Sequence, residues 1–144
     1  MYRPCVRAIL VAVAVLTMGA CSNDTLSSLT TPTNPTIFTD TFTGTLSQNG
    51  SFTHSFTTAS LGAVTVSIVS LAPNSSQIVG LSLGVWNGSA CSTSPQTGGS
   101  SSDTATTGSS ITLNASAAGS LCVRLYDVGF ITAPVLYSLQ VTHP

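Results

Sequence analysis

From Phe38 to Val141 the apolar residues of this chain return at every second position. In Ser51-Phe52-Thr53-His54-Ser55-Phe56-Thr57 the rings fall on one side and the hydroxyls on the other. A strand sends successive side chains to opposite faces, so this alternation describes half-buried strands rather than helices. Phe38, Asp40 and Phe42 share one face of a first strand, and Phe52, His54 and Phe56 one face of a second, after an Asn49-Gly50 turn signal. Val64, Val66 and Ile68 alternate in a third, after which Val69 and Leu71 change phase; that slip predicts a bulge or twist near Ile68. Val79, Leu81, Leu83 and Val85 define a fourth strand. Ile111, Leu113 and Ala115 define a short one, Leu121, Val123 and Leu125 another, and Val135, Tyr137, Leu139 and Val141 the last. The polar residues are Ser, Thr, Gly and Asn, with no Lys and no Glu. Ser, Thr and Asn compete with the helix backbone for hydrogen bonds, whereas Thr and Val fit a pleated surface. Seven or eight strands without a convincing helix predict an all-β antiparallel sandwich or barrel.

The N-terminus has a different organisation. Arg3 and Arg7 precede an unbroken, mostly apolar run from Ala8 to Thr17, and small residues Gly19 and Ala20 follow. That order is the pattern of a secretory signal, and the run is short for a membrane span of about 20 apolar residues. Met18-Gly19-Ala20-Cys21 resembles the lipobox of bacterial lipoproteins. The resemblance implies that a diacylglyceryl group joins the Cys21 thiol, that the chain is cut just before it, and that the new amine is acylated. Several acyl chains on one residue would anchor the protein durably in a membrane. Ser22 follows the cysteine, which in that family favours the outer membrane of the cell envelope. Residues 21–35 then read as a lipidated Cys21 and a solvated tether, punctuated by Pro32 and Pro35. Residues 1–20 are the signal peptide and 36–144 the sandwich domain.

Loss of residues 1–20 removes Arg3 and Arg7. Arg124 then stands against Asp24, Asp40, Asp103 and Asp127, a formal charge of −3. Nucleic-acid binding normally needs a basic footprint, and none is present. Cys5 leaves with the signal peptide and Cys21 is taken by lipid, so Cys91 and Cys122 are left as a pair in an oxidising compartment, where a disulfide is expected. The Ser-, Thr- and Gly-rich stretch from Ser92 to Ser110 lies inside the region they would close and reads as a long loop.

Thr41-Phe42-Thr43-Gly44-Thr45-Leu46, Gly50-Ser51-Phe52-Thr53-His54-Ser55-Phe56-Thr57 and Gly62-Ala63-Val64-Thr65-Val66 are similar to the opening strands of bacterial pre-peptidase C-terminal domains. Leu121-Cys122-Val123-Arg124-Leu125-Tyr126 and Tyr137-Ser138-Leu139-Gln140-Val141-Thr142 are similar to their last two strands. The resemblance implies a jelly-roll-like β-sandwich of the kind found as accessory modules on secreted enzymes, some of which bind polysaccharide, insoluble protein or calcium. Here Gly80-Leu81-Ser82-Leu83-Gly84-Val85-Trp86 replaces the acidic central strand of many members, so none of the family's ligand residues carries over.

Gly80-Leu81-Ser82-Leu83-Gly84 matches the G-x-S-x-G pattern of serine hydrolases. That chemistry needs the serine on a tight strand-to-helix turn with His and acid partners, and the motif here falls inside an alternating strand. No catalytic residue or cofactor is therefore expected, and with the four Asp scattered and no oxygen-rich calcium loop visible, no metal site is expected either. His54, between two phenylalanines, reads as a hydrogen-bonded, partly buried residue. A cation site built from Asp40, Asp127 and backbone carbonyls stays open. Asn49, Asn74, Asn87 and Asn114 each begin an N-x-S sequon, which a Ser-rich chain produces by chance. Trp86 shares its phase with Gly80, Ser82 and Gly84, so a regular strand would turn its indole outward as a platform for a sugar ring. A bend at Asn87-Gly88 would instead fold it over the edge of the core. Tyr126 also falls on the outward phase and could extend such a platform. The expected function is a non-enzymatic binding or adhesion module with a polysaccharide or envelope-protein partner. The alternatives are a structural envelope component without a small ligand and, more remotely, a degenerate serine hydrolase.

Overall fold

The computed structural model describes residues 34–144. The signal peptide, Cys21 and most of the tether expected from the sequence lie outside the described residues. Wherever the alternation runs, the chain is extended: β1 (Phe38–Leu46), β2 (Ser51–Thr58), β3 (Gly62–Ala72), β4 (Val79–Trp86), β5 (Cys91–Ser92), β6 (Ser100–Ala105), β7 (Ser110–Ala115), β8 (Gly119–Tyr126) and β9 (Val135–His143). A 3-10 turn at Pro95–Thr97 separates β5 from β6.

The strands form two antiparallel sheets. One has the order β1-β9-β3-β7; the other has the order β2-β8-β4-β5, with β6 also paired to β4. The pairing is nested. The first strand meets the last, β2 meets β8, β3 meets β7, and β4 meets both β5 and β6. A long hairpin wound in this way into two sheets is a jelly roll, as expected.

Between the sheets lies the core, and the period-two faces meet there. Val64, Val66, Ile68, Leu139 and Val141 come from one sheet and Leu81, Leu83, Val123 and Leu125 from the other, all with almost no solvent contact. The phase slip in β3 is a real irregularity. The β3·β9 register shifts between Ile68 and Ser70, Val69 turns outward and Leu71 returns to the core. An extra residue in one strand of a pair has this effect.

Nine strands form where seven or eight were expected, because the short β5 and the Ser/Thr strand β6 carry no alternating apolar signal, and two further expectations need correction. The Ser92–Ser110 stretch is not one long loop, because β6 lies within it and pairs antiparallel with β4. An edge strand can form on backbone pairing alone, and of β6 only Ala105 reaches the core. The second correction concerns β4, where the inward phase was expected to run through Val85. Val85 is exposed, while Gly80, Ser82 and Gly84 on the opposite phase are buried. The outer face of β4 is covered, as described next.

Candidate functional site

Outward-facing residues of the second sheet line up across its strands. Ser51, Thr53 and Ser55 on β2 stand opposite Tyr126, Arg124 and Cys122 on β8, which pair in turn with Gly80, Ser82 and Gly84 on β4. The glycines make room for what lies above them. A side chain on Gly80 would collide with the Tyr126 ring, and one on Gly84 with the backbone of Ser92 and Thr93. The Cys91–Cys122 disulfide forms on this face. Its cysteines lie on β5 and β8, two strands flanking β4. In a flat sheet such residues are roughly 9.5 Å apart. Their Cα atoms are only 5.7 Å apart, so β5 curls over β4 at Gly84.

Ser82 sits in the middle of this covered face, 3 % exposed and paired with Arg124 and Ser101. His54 and His143 belong to the inward phases of β2 and β9. Among the described residues no hydrogen bond joins Ser82 to either.

Trp86 ends β4 half-buried. It borders a depression of about 250 Å³ on the outer face, shared with the hydroxyl-bearing Ser55, Thr57 and Ser120. A second hollow of about 600 Å³ opens beside it at the end of the sandwich, lined by Thr97, Leu113, Asn114 and the turn from Ser116 to Ser120. Neither is lined by a charged residue. Asn87 fixes the following turn, its Oδ1 accepting the N–H groups of Ser89 and Ala90 at 2.9 and 2.8 Å.

Tyr126 is at the far end of the same face. It lies across from Gly80, six residues from Trp86 along β4, which is roughly 20 Å at the rise of a strand. The two aromatic residues are thus not side by side. The Tyr126 hydroxyl donates to Asp103, and Arg124 approaches the ring at 5.3 Å from its centroid. Burial, then the bond and charge of Asp103, push the phenol up to about 12 against the pull of Arg124, so it is a neutral donor at neutral pH.

Asp127 serves a turn. Its Oδ2 accepts the Asn49 N–H at 2.8 Å, and its Oδ1 accepts the N–H groups of Gly129, Phe130 and Ile131. These bonds, the one from Asn49 foremost, hold its carboxyl below the usual carboxylate range. Asp40 lies near the other end of β1 and is engaged by His143 instead. The structure does not bring Asp40 and Asp127 together, and among the described residues no group of three or more metal-ligating side chains occurs.

A further site is formed by inward-facing residues at the open side of the sandwich. The edge strands β1 and β2 belong to different sheets and flank a cleft of about 670 Å³ lined by Phe38, Asp40, Phe42, Phe56, Thr58 and His143. The His143 Nε2 lies 3.2 Å from the Asp40 Oδ2. Its ring stacks on Phe38 and packs against Phe56, with centroids 6.0 and 5.3 Å apart. Behind Phe42, His54 stacks at 4.7 Å and meets the Tyr137 hydroxyl at 2.8 Å. Burial lowers the His54 pKa, which favours the neutral ring. The pairing of Asp40 with His143 was not foreseen, although both were in phase with apolar neighbours: Asp40 with Phe38 and Phe42, His143 with Leu139 and Val141.

The sequence matches no protein-family model, and a search for similar curated proteins found none.

Proposed function

We propose that this chain is a lipid-anchored protein of the bacterial cell envelope, held by Cys21 in the outer membrane, whose jelly roll is a non-enzymatic module binding neutral carbohydrate through Trp86. The observation that carries the reading is the setting of Trp86. A half-buried indole next to Ser55, Thr57 and Ser120, without a charged residue in either adjoining hollow, suits a sugar ring. The apolar sugar face stacks on the indole while small hydroxyls exchange hydrogen bonds with the sugar's own. The strand-pattern resemblance to pre-peptidase C-terminal domains supports the same reading. The lipobox-like Met18-Gly19-Ala20-Cys21 supports the anchor.

The test of the module is retention of the detergent-solubilised full chain on insoluble polysaccharides and peptidoglycan, beside Trp86→Ala. Retention of the native chain and its loss in the variant is the expected result. No retention of either would move the function to an envelope-protein partner or a structural role. The anchor is tested separately by Cys21→Ala, which should release the protein from the membrane fraction and change its mature mass. An unchanged fraction and mass would remove the lipoprotein assignment.

A further inference from the structure

We propose that the cleft between β1 and β2 is a second ligand site, independent of Trp86, that takes a small organic cation. Three phenylalanines, Phe38, Phe42 and Phe56, contribute to its walls together with His143. The faces of aromatic rings are electron-rich and attract ammonium groups, most strongly where water is excluded. A single carboxylate, Asp40, stands among them with its side chain 45 % exposed. Among the described residues its one hydrogen-bond partner is His143, which engages Oδ2; no protein group is bonded to Oδ1.

Nothing in the lining would neutralise that charge in advance except His143. The one arginine among the described residues, Arg124, lies on the outer face of the other sheet beside Tyr126. Phe38 is 48 % exposed at the mouth, so a large apolar ring is held where solvent reaches it. An aromatic wall with one carboxylate fits a cation better than a neutral hydrocarbon, because a neutral guest would desolvate Asp40 without replacing its partner. The cleft, at about 670 Å³, is of a size that holds small molecules.

The probe pair is choline and its uncharged isostere 3,3-dimethylbutan-1-ol, titrated into the detergent-solubilised full chain and followed by calorimetry and by NMR of the aromatic protons. Choline should bind saturably and about tenfold more tightly than the alcohol, the order of a partly desolvated cation–π site. Asp40→Asn and Phe38→Ala should each weaken choline severalfold, whereas Trp86→Ala should leave it unchanged. Phe38 is half-exposed, so its variant keeps the test usable if Asp40→Asn does not fold. Equal binding of the two probes, no saturable binding of choline, or loss of choline binding in Trp86→Ala would each overturn the proposal. Retention on polysaccharide is a separate readout, so failure of this site leaves the Trp86 reading standing.

Discussion

His54 on β2 and Tyr137 on β9 are joined by a 2.8 Å hydrogen bond between imidazole Nε2 and phenol oxygen, across 83 residues of sequence. The two residues belong to different sheets. The bond therefore links the layers of the sandwich at the side where the core opens into the β1/β2 cleft. Tyr137 is buried and His54 half-buried, and the geometry is completed by Phe42, stacked on the imidazole, and by Phe52, packed against the phenol. Gly44 belongs to the same arrangement, since a side chain there would meet the Tyr137 ring.

Stability should fall on the acid side through His54. Burial lowers its pKa from 6.5 in the folded state. As pH drops below 6.5 the unfolded chain takes up the proton first, so folding loses ground down to the folded pKa and nothing above 6.5 is affected. The slope from one proton is at most about 1.4 kcal/mol per pH unit. In His54→Gln, which retains a polar partner for Tyr137 without a titrating ring, denaturant unfolding at a series of pH values should show a flatter profile just below pH 6.5. The Asp127 turn responds elsewhere, because its lowered carboxyl pKa places its loss of stability below 3.8. An unchanged slope in His54→Gln would show that the ring does not titrate differently on folding.

Gly84→Ala should be costly and Gly119→Ala nearly silent. The new methyl at position 84 would strike the backbone of Ser92 and Thr93, which cannot rotate away, whereas nothing lies within 4 Å at position 119. Overpacking against fixed atoms costs about 1–3 kcal/mol, and the upper half of that range is expected here. Urea midpoints of the two variants measure the difference. Equal midpoints would mean that β5 does not lie over β4 as described.

Cys91 and Cys122 should resist alkylation until the protein is reduced. Their bridge closes a separation of 31 residues, worth about 3–4 kcal/mol in the chain-entropy account. The double replacement by serine should lower unfolding free energy by that order and loosen the hydroxyl-lined face next to Trp86. Labelling of either thiol in the native, unreduced protein would contradict the bridge.

Much of this fold was legible from phase alone. The inward positions of β2, β3, β8 and β9 follow their alternation, and the bulge after Ile68 was signalled by the change of phase, although Val69, grouped there with Leu71, turns outward. The disulfide followed from cysteine bookkeeping. What alternation could not convey was the second layer over β4. Its cover comes from the end of β5 at Ser92 and Thr93 and from the Tyr126 ring, neither of which carries an alternating apolar signal. Ser82 is buried in the middle of that covered face, and Val85 is exposed because it borders the hollow at the end of the sandwich. The Asp40–His143 contact was hidden for a related reason. Its partners are 103 residues apart, and only the β1·β9 pairing aligns them, Phe38 opposite His143.

Trp86 is the only tryptophan in the chain, so its fluorescence reports on the proposed carbohydrate site without interference. The most direct measurement is a titration of the full chain with soluble oligosaccharides of the polysaccharide that retains it, read as tryptophan emission. A saturable shift in wavelength or intensity, absent with the same sugars on denatured protein, is the predicted result. Retention on the polysaccharide with an emission spectrum that no oligosaccharide alters would place binding away from Trp86 and contradict the account.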